Sequence, residues 1–369
     1  MRTRLMPLLA ITAGFMLTTG LQAADIYGLN PGNPELKSAG PLAFGPSGIL
    51  FIADPMGAAI FAVQTSDEKA AGSAAELEIA SLQKQLASKL NLDAGQVRVT
   101  DLAVNPETQN IFLSVTAENQ SPRIVKVTPA GEISEVSLEG IAFSKAELPN
   151  AIDDQPSDGG RRRRYGRESS ITDLAFVNGQ LVVAGLNNQE DFSNVWSLMF
   201  PFQKVDRGTN IEIFHGNHGR SETTAPIQTF VPFIVNGEPN IVAGFVCTPL
   251  VKFPLKDLAA EETERVTGTT LAELGNRNRP LDMISYSKDG QDYLLMTNSA
   301  RGTMKISTND IARDSGITER VDGLAGQEYE TVDELAGVVQ LDKLNDTHAV
   351  VVMQQGENGD MTLKTVELP

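Results

Sequence analysis

Four acidic residues hold the same place in a weakly repeated phrase, and they are the side chains of this sequence best placed for chemistry. The phrase is a short apolar run such as Leu-Ala-Phe, and it occurs six times. The residues that open it are, in chain order, Pro41, Asp101, Asp173, Thr229, Asp282 and Glu334. Carboxylates that are brought together repel each other, which favours a bound cation or raised pKa values. Because all four side chains offer oxygen, the cation expected is Ca²⁺ or Mg²⁺ rather than Zn²⁺.

Two other roles for these acids remain open at the level of sequence. Each acid can cap a local turn by accepting a backbone N–H bond, which requires no ligand. Arg277, Arg279 and Arg301 lie near Asp282 in the sequence. Their guanidinium groups can bind a carboxylate or phosphate ligand, or they can neutralise the acids and remove the need for a metal.

A second and weaker candidate for a metal site contains two of the three histidines. His215 and His218 form an H-x-x-H pattern in a glycine-rich stretch, and the single cysteine, Cys247, follows in the next repeat. Two imidazoles and a thiolate can bind copper or zinc. The pattern lacks the glutamate and the helical spacing of H-E-x-x-H. A small, buried apolar residue is the structural interpretation of Cys247.

The elements that position the acids are short strands in a repeating order. Successive phrases start 52 to 72 residues apart, and most lead through a polar turn into a second apolar strand. Asn178-Gly179 between two apolar runs is the strongest short signal for a hairpin. Repeats of this size built from strands predict an all-β, six-bladed β-propeller. The first strand of each blade lines the central channel, so the acids should converge on one channel mouth.

The repeats resemble those of the NHL-repeat and gluconolactonase-like six-bladed propellers. The clearest match is residues 40–64, where a Gly-Pro-x-Gly turn precedes Phe-Ile-Ala-Asp54. That resemblance implies a divalent metal near the channel, held by carboxylate and amide ligands, and Asn187 and Asn298 are the candidates for the amides. Residues 247–253 and 274–283 also resemble a family of exported bacterial proteins with no assigned activity.

Two segments interrupt the repeats. The first, about residues 68–94, separates the first two blades and contains a helix predicted over 73–90, with a capping box at Ser73 and Glu76 and leucines near one face. The second, about residues 144–169, has no apolar period and carries the basic run Arg161–Arg164. It is predicted to be an exposed loop.

The first residues and the overall charge indicate where the protein is located and which partners are excluded. Arg2 and Arg4, an apolar run and then small residues predict a signal peptide over residues 1–23, followed by a single domain over 24–369. Its removal leaves 28 basic and 47 acidic residues, which argues against nucleic-acid binding. We expect an exported protein, periplasmic or secreted, with no membrane insertion after cleavage.

The sequence therefore predicts an exported β-propeller that binds or scaffolds a small-molecule ligand or a protein partner through a loop-rich face and its central channel. A divalent-metal-dependent hydrolase of the lactonase type is the alternative. Gly-x-Ser-x-Gly, P-loop and Rossmann patterns are absent from the chain. Whether the protein is an enzyme, and whether it uses Ca²⁺ or Mg²⁺, stays open at this point.

Overall fold

The computed structural model describes residues 26–68, 76–153, 165–247, 249–259, 264–356 and 359–369. The predicted signal peptide, Ser73 of the predicted capping box and the run Arg161–Arg164 lie outside these residues.

The described part of the chain is built mainly from 28 strands. Numbered along the chain they are β1 (Asn30–Gly32), β2 (Leu42–Phe44), β3 (Ile49–Asp54), β4 (Ala59–Gln64), β5 (Glu78–Ile79), β6 (Arg98–Val104), β7 (Ile111–Thr116), β8 (Arg123–Val127), β9 (Ile133–Glu135), β10 (Ile141–Glu147), β11 (Asp173–Val177), β12 (Gln180–Leu186), β13 (Ser193–Met199), β14 (Thr209–His215), β15 (Arg220–Glu222), β16 (Ile227–Val235), β17 (Glu238–Phe245), β18 (Pro249–Pro254), β19 (Arg265–Thr267), β20 (Thr269–Leu274), β21 (Pro280–Lys288), β22 (Gln291–Asn298), β23 (Gly302–Ser307), β24 (Leu324–Gly326), β25 (Tyr329–Thr331), β26 (Val338–Lys343), β27 (His348–Gln355) and β28 (Asp360–Glu367). Two helices accompany them, α1 (Leu82–Leu90) and α2 (Leu255–Leu258).

These strands form six sheets, which are the blades of a β-propeller. We number the blades by the chain order of their inner strands. Blade 1 has the strand order β2-β3-β4-β10-β1, blade 2 β6-β7-β8-β9, and blade 3 β11-β12-β13-β14-β15, with β19 parallel to β14. Blade 4 has the order β16-β17-β18-β20-β24, blade 5 β21-β22-β23-β25, and blade 6 β26-β27-β28-β5. The predicted fold class is confirmed.

The order of the blades around the axis differs from their order along the chain. The inner strand of blade 1 contacts those of blades 2 and 3, and the inner strand of blade 2 contacts that of blade 6. Going round the axis, the blades therefore follow the order 1, 3, 4, 5, 6, 2. Blade 2 is inserted into blade 1, because β10 returns to pair with β4 after blade 2 is complete.

The ring is closed by a strand from the segment that joins blades 1 and 2. Strand β5 adds to the outer edge of blade 6, where Ile79 pairs with Leu363 and Glu78 with Lys364. The last blade thus takes its fourth strand from the early part of the chain. The two ends of the blade sequence are held together by backbone hydrogen bonds, and this stabilises a closed ring.

Tight turns set the register of three inner hairpins. Asn178-Gly179, Asn236-Gly237 and Asp289-Gly290 each connect the first two strands of a blade through two residues. All six residues have positive φ, from 51° to 82°, which is the requirement of a type I′ turn. A fixed turn places the apolar side chains of each strand on the faces that neighbouring blades cover.

The described residues form seven apolar clusters, and six of them lie one at each boundary between neighbouring blades. The cluster of blades 1 and 3 contains Phe51, Trp196 and Phe200, and that of blades 3 and 4 contains Phe245 and Phe253. The other four of these six clusters join blades 4 and 5, 5 and 6, 6 and 2, and 2 and 1. Burial of apolar area between all neighbouring pairs accounts for stability without a disulfide.

The predicted insertions are more ordered than expected in the described residues. The helix is shorter than 73–90, because Glu78–Ile79 is a strand and α1 begins at Leu82. Leu82, Leu86 and Leu90 are buried between blades 2 and 6, as their spacing predicted. The prediction of an exposed loop over 144–169 is wrong at both ends of that range. Strand β10 runs to Glu147, and a 3₁₀ turn spans Arg167–Ser170.

No helix in the described residues combines the length and the apolar character that crossing a bilayer requires.

Candidate functional site

Residues at or near the start of the six inner strands surround a cavity of about 1230 Å³ at one mouth of the channel. Blades 1 to 5 contribute the residues that open their phrases, as the repeat pattern predicted, and blade 6 contributes Gln340. The ring, in order round the axis, is Pro41, Asp173, Thr229, Asp282, Gln340 and Asp101. The structure therefore brings three of the four predicted acids to one place.

Each of these three acids bonds to the inner strand of the neighbouring blade. The Oδ2 atom of Asp101 accepts the backbone N–H of Leu42 at 2.6 Å, from blade 2 to blade 1. Asp173 likewise accepts the N–H of Phe230 at 2.7 Å, from blade 3 to blade 4. Asp282 accepts the N–H of Leu341 at 2.8 Å, from blade 5 to blade 6. We call these contacts the inter-blade carboxylate bonds, and all three point the same way round the ring.

A fourth inter-blade carboxylate bond involves Asp342, which the sequence analysis missed. Its Oδ2 atom accepts the N–H of Val104 in blade 2 at 2.7 Å, and its Oδ1 atom accepts the N–H of Lys343 at 2.7 Å. Asp173 and Asp282 also accept the N–H of the next residue in their own strands. The carboxylates therefore cap backbone groups within a strand and connect blades.

Glu334 does not belong to the ring, so this part of the prediction is wrong. It is exposed and lies in the 3₁₀ turn Asp333–Leu335 that precedes β26. Gln340 holds the equivalent position, because the next residue, Leu341, donates its N–H to Asp282 just as Leu42, which follows Pro41, donates its N–H to Asp101. Glu-Leu-Ala matches the phrase better than Gln-Leu-Asp does, and that match misled the sequence analysis.

The amide of Gln340 connects two carboxylates of the ring. In the amide orientation that satisfies the hydrogen bonds, its nitrogen donates to Asp101 Oδ1 at 2.8 Å and to Asp282 Oδ2 at 3.0 Å. The positive end of the amide dipole thus lies between two negative groups. It offsets part of their repulsion without a net positive charge.

Burial makes it costly to ionise the four aspartates of the inter-blade carboxylate bonds, and their pKa values are raised. Burial raises the pKa of Asp173 to about 7 and that of Asp342 to about 6, although backbone N–H bonds act in the opposite direction. Burial also raises the pKa values of Asp101 and Asp282 well above the usual range, and the charges of neighbouring aspartates add to the effect. These four aspartates therefore retain protons at a pH where ordinary carboxyl groups are ionised.

The three predicted arginines do not neutralise the ring. Arg279 is exposed on the rim of the cavity, and Arg277 is exposed outside it. Arg301 donates to the carbonyl of Asn276 at 3.3 Å. Within the described residues, none of the three forms an ion pair with an acid of the ring. Arg279 is the one that faces the cavity and can contact a ligand there.

The two predicted amide ligands are engaged in local structure. Asn187 is buried, donates to Asn210 Oδ1 at 2.9 Å and does not line the cavity. Asn298 lines the cavity, but its Nδ2 donates to Asn278 at 3.1 Å and its Oδ1 accepts the N–H of Ala300 at 3.1 Å. The donor set for a hard cation at the mouth is therefore carboxylate oxygen, with Asn298 as a weak addition.

The histidine motif lies on the outer part of blade 3. His215 and His218 approach each other and Glu222, with their ligand atoms within 4.8 Å. Cys247 is not part of that group. It lies in the turn between β17 and β18, is partly exposed, and donates its N–H to Asn278 at 2.9 Å. The third ligand close to the histidines is a carboxylate instead of the predicted thiolate.

Comparison with known proteins assigns this chain to no family and to no activity. No protein-family model matches the chain, and no curated protein matches it. A putative glucose dehydrogenase from Thermus thermophilus is 12% identical with a TM-score of 0.35, over 92% of this chain and 99% of that one. The PQQ-bound aldose sugar dehydrogenase from Streptomyces coelicolor is 11% identical with a TM-score of 0.27, over 92% of this chain and 96% of that one.

A chain from a mitotic checkpoint complex is 11% identical with a TM-score of 0.37, and the match covers 100% of this chain and 99% of that one. The identities and scores of these three structures are too low to carry any activity over to this protein.

The inter-blade carboxylate bond of Asp342 can be tested by substitution at pH 5, where protonation removes most of the repulsion in the ring. Asp342→Ala leaves the N–H groups of Val104 and Lys343 without an acceptor, so we expect a loss of about 1–3 kcal/mol in the free energy of unfolding. Urea unfolding measures this. Glu334→Ala is the control, with a change of less than about 0.5 kcal/mol. Equal effects of the two substitutions would contradict the assigned role.

The raised pKa values also predict how stability depends on pH. The folded state holds more protons than the unfolded state between the ordinary carboxyl pKa and the raised values, so the ring's contribution to stability falls as pH rises from about 4 to about 7. Asp173→Asn, which mimics the protonated acid, should reduce that fall. Urea unfolding at several pH values provides the measurement. The account fails if Asp173→Asn and Glu334→Gln show the same pH dependence as the unsubstituted protein.

Proposed function

We propose that this protein is an exported binding protein whose small-molecule ligand enters the channel-mouth cavity with a positively charged group directed at the carboxylate ring. The observation that carries the proposal is the chemistry of the ring. Three aspartates line one large, open cavity, and no described cationic side chain pairs with them. A bound cation would replace the protons that the acids otherwise retain.

The spacing of the ring favours a particular kind of cation. The carboxylate oxygens of Asp101, Asp173 and Asp282 do not all lie within 4.8 Å of one another, in contrast to the ligand atoms of the histidine group. Direct Ca²⁺ coordination at 2.3–2.6 Å by all three acids would need a contraction of the ring. A hydrated cation or an organic ammonium group fits the wider ring, and Arg279 on the rim is available for an acidic group on the same ligand.

The test is binding of simple cations to the mature protein. We expect Ca²⁺ or the polyamine spermidine to raise the melting temperature with increasing concentration, because each binds the folded state preferentially. Asp173→Asn should weaken that binding by about tenfold or more, as expected for the loss of a charged hydrogen-bonding partner.

Glu334→Gln removes the same formal charge outside the cavity and is the matched control. Binding that survives Asp173→Asn unchanged, or that Glu334→Gln weakens equally, would reflect the overall negative charge of the surface and would refute the proposed site. Absence of binding by both cations would refute it as well.

A divalent-metal-dependent lactonase, the activity implied by the resemblance to gluconolactonase-like propellers, is the second candidate. The observation that favours it is Asp173, whose pKa of about 7 suits a general acid or base at neutral pH. The engagement of Asn187 and Asn298 in local structure counts against the full set of metal ligands. Hydrolysis of a simple lactone that requires Ca²⁺, stops with EDTA and is lost in Asp173→Asn would support the enzyme. Hydrolysis at the uncatalysed rate would exclude it for that substrate.

A further inference from the structure

The turn that joins β14 to β15 places three side chains with metal-binding chemistry together, far in the sheet order from the channel. His215 ends β14, His218 lies in the turn, and Glu222 ends β15. The side chains of His215 and Glu222 are buried, with 2% and 8% of their surface exposed, and that of His218 is 45% exposed. The cluster is thus anchored in the protein and accessible from one side.

The ligand atoms of this cluster lie within 4.8 Å of one another, and each histidine hydrogen-bonds to one oxygen of Glu222 in the absence of an ion. His215 Nδ1 lies 3.2 Å from Glu222 Oε2, and His218 Nδ1 lies 2.9 Å from Glu222 Oε1. A tetrahedral zinc ion with bonds of about 2.0–2.1 Å separates its ligand atoms by about 3.3 Å. The three donors therefore need only small movements to surround one ion.

A second carboxylate lies behind the His215 ring, slightly beyond hydrogen-bond distance. Glu273 of blade 4 is fully buried, and its Oε2 atom lies 3.7 Å from His215 Nε2, on the side of the ring that faces away from Glu222. That nitrogen has no hydrogen-bond partner in the structure. A proton on Nε2 directed at Glu273 leaves the lone pair of Nδ1 free for a metal. Metal-binding histidines commonly have such a carboxylate behind them.

The turn itself is held in place before any ion binds. Glu273 accepts the N–H of Gly216 at 2.5 Å and the side-chain amide of Asn217 at 2.8 Å. Gly323 donates its N–H to Asn217 Oδ1 at 2.9 Å, and Val321 donates to the carbonyl of Gly216 at 3.1 Å. Hydrogen bonds from blade 4 and from the segment before β24 thus hold the turn on two sides. Metal binding would therefore require little additional ordering of the turn.

We propose that His215, His218 and Glu222 form a Zn²⁺ site on the outer part of blade 3, with the fourth position open to solvent. Two imidazoles and one carboxylate are a zinc donor set. Arg220 presently donates to Glu222 Oε1 at 3.1 Å and is exposed. Because its side chain reaches into solvent, it can leave that oxygen when the ion enters. The site is independent of the channel mouth.

Zinc binding by a preparation without a polyhistidine tag, stripped of metal with a chelator, tests this proposal at pH 7.5. Titration calorimetry should show one Zn²⁺ per chain. Co²⁺ in its place should give the strong visible absorption of tetrahedral coordination. We expect His218→Ala to weaken Zn²⁺ binding by more than about a hundredfold, since loss of a direct ligand should exceed the loss of an outer partner.

The third histidine of the chain supplies the matched control. His348 lies at the start of β27 and bonds to Thr347, so His348→Ala should leave Zn²⁺ binding unchanged. Because His218 is largely exposed, its replacement should leave the melting temperature of the metal-free protein within a few degrees of the unsubstituted value. Glu222→Gln gives a second ligand variant with the same expected loss. The proposal is overturned if micromolar Zn²⁺ does not bind, or if it binds equally to His218→Ala and Glu222→Gln.

Discussion

The hydrogen bond from a channel carboxylate to the backbone of the next blade is the interaction on which this structure depends. Inner strands of a propeller do not pair with one another through backbone ladders, so their N–H groups at the axis require other acceptors. Asp101, Asp173, Asp282 and Asp342 supply four of them. Each bond joins two blades at the place where the strands converge. The apolar clusters join the same blades further from the axis.

The use of aspartates as acceptors places up to four negative charges in a buried region near the channel axis, where ionisation is unfavourable. Burial and mutual repulsion raise the pKa values of the four acids, and the amide of Gln340 offsets only part of the repulsion. A structure that needed only acceptors could use neutral side chains there. In the function proposed above, the three of these carboxylates that line the cavity, Asp101, Asp173 and Asp282, both join blades and bind the positively charged group of the ligand.

The sequence was most informative where local chemistry repeats. The phrase identified the inner strands of five blades and three ring acids, because hairpin turns and strand alternation are local signals. The phrase gave the wrong residue in blade 6, because Glu334-Leu-Ala resembles it more closely than Gln340-Leu-Asp, which is the segment that lies on the inner strand. The interleaving of blades 1 and 2 could not be predicted, since nothing in β5 or β10 specifies a partner strand distant in the chain. Glu222 was passed over as a partner of the histidines because only the pairing of β14 with β15 brings it to them.

The most direct test of this account is the titration of the four aspartates that form the inter-blade carboxylate bonds. Carbon-13 NMR of the aspartate carboxyl groups can follow each of them from pH 3 to pH 9, with Asp173→Asn and Asp342→Asn used to assign the signals. We expect four carboxyl groups to titrate well above the ordinary value for aspartate, with Asp173 near pH 7 and Asp342 near pH 6. Titration of all aspartates near pH 4 would show that the channel carboxylates are neither buried nor coupled, and would contradict the account.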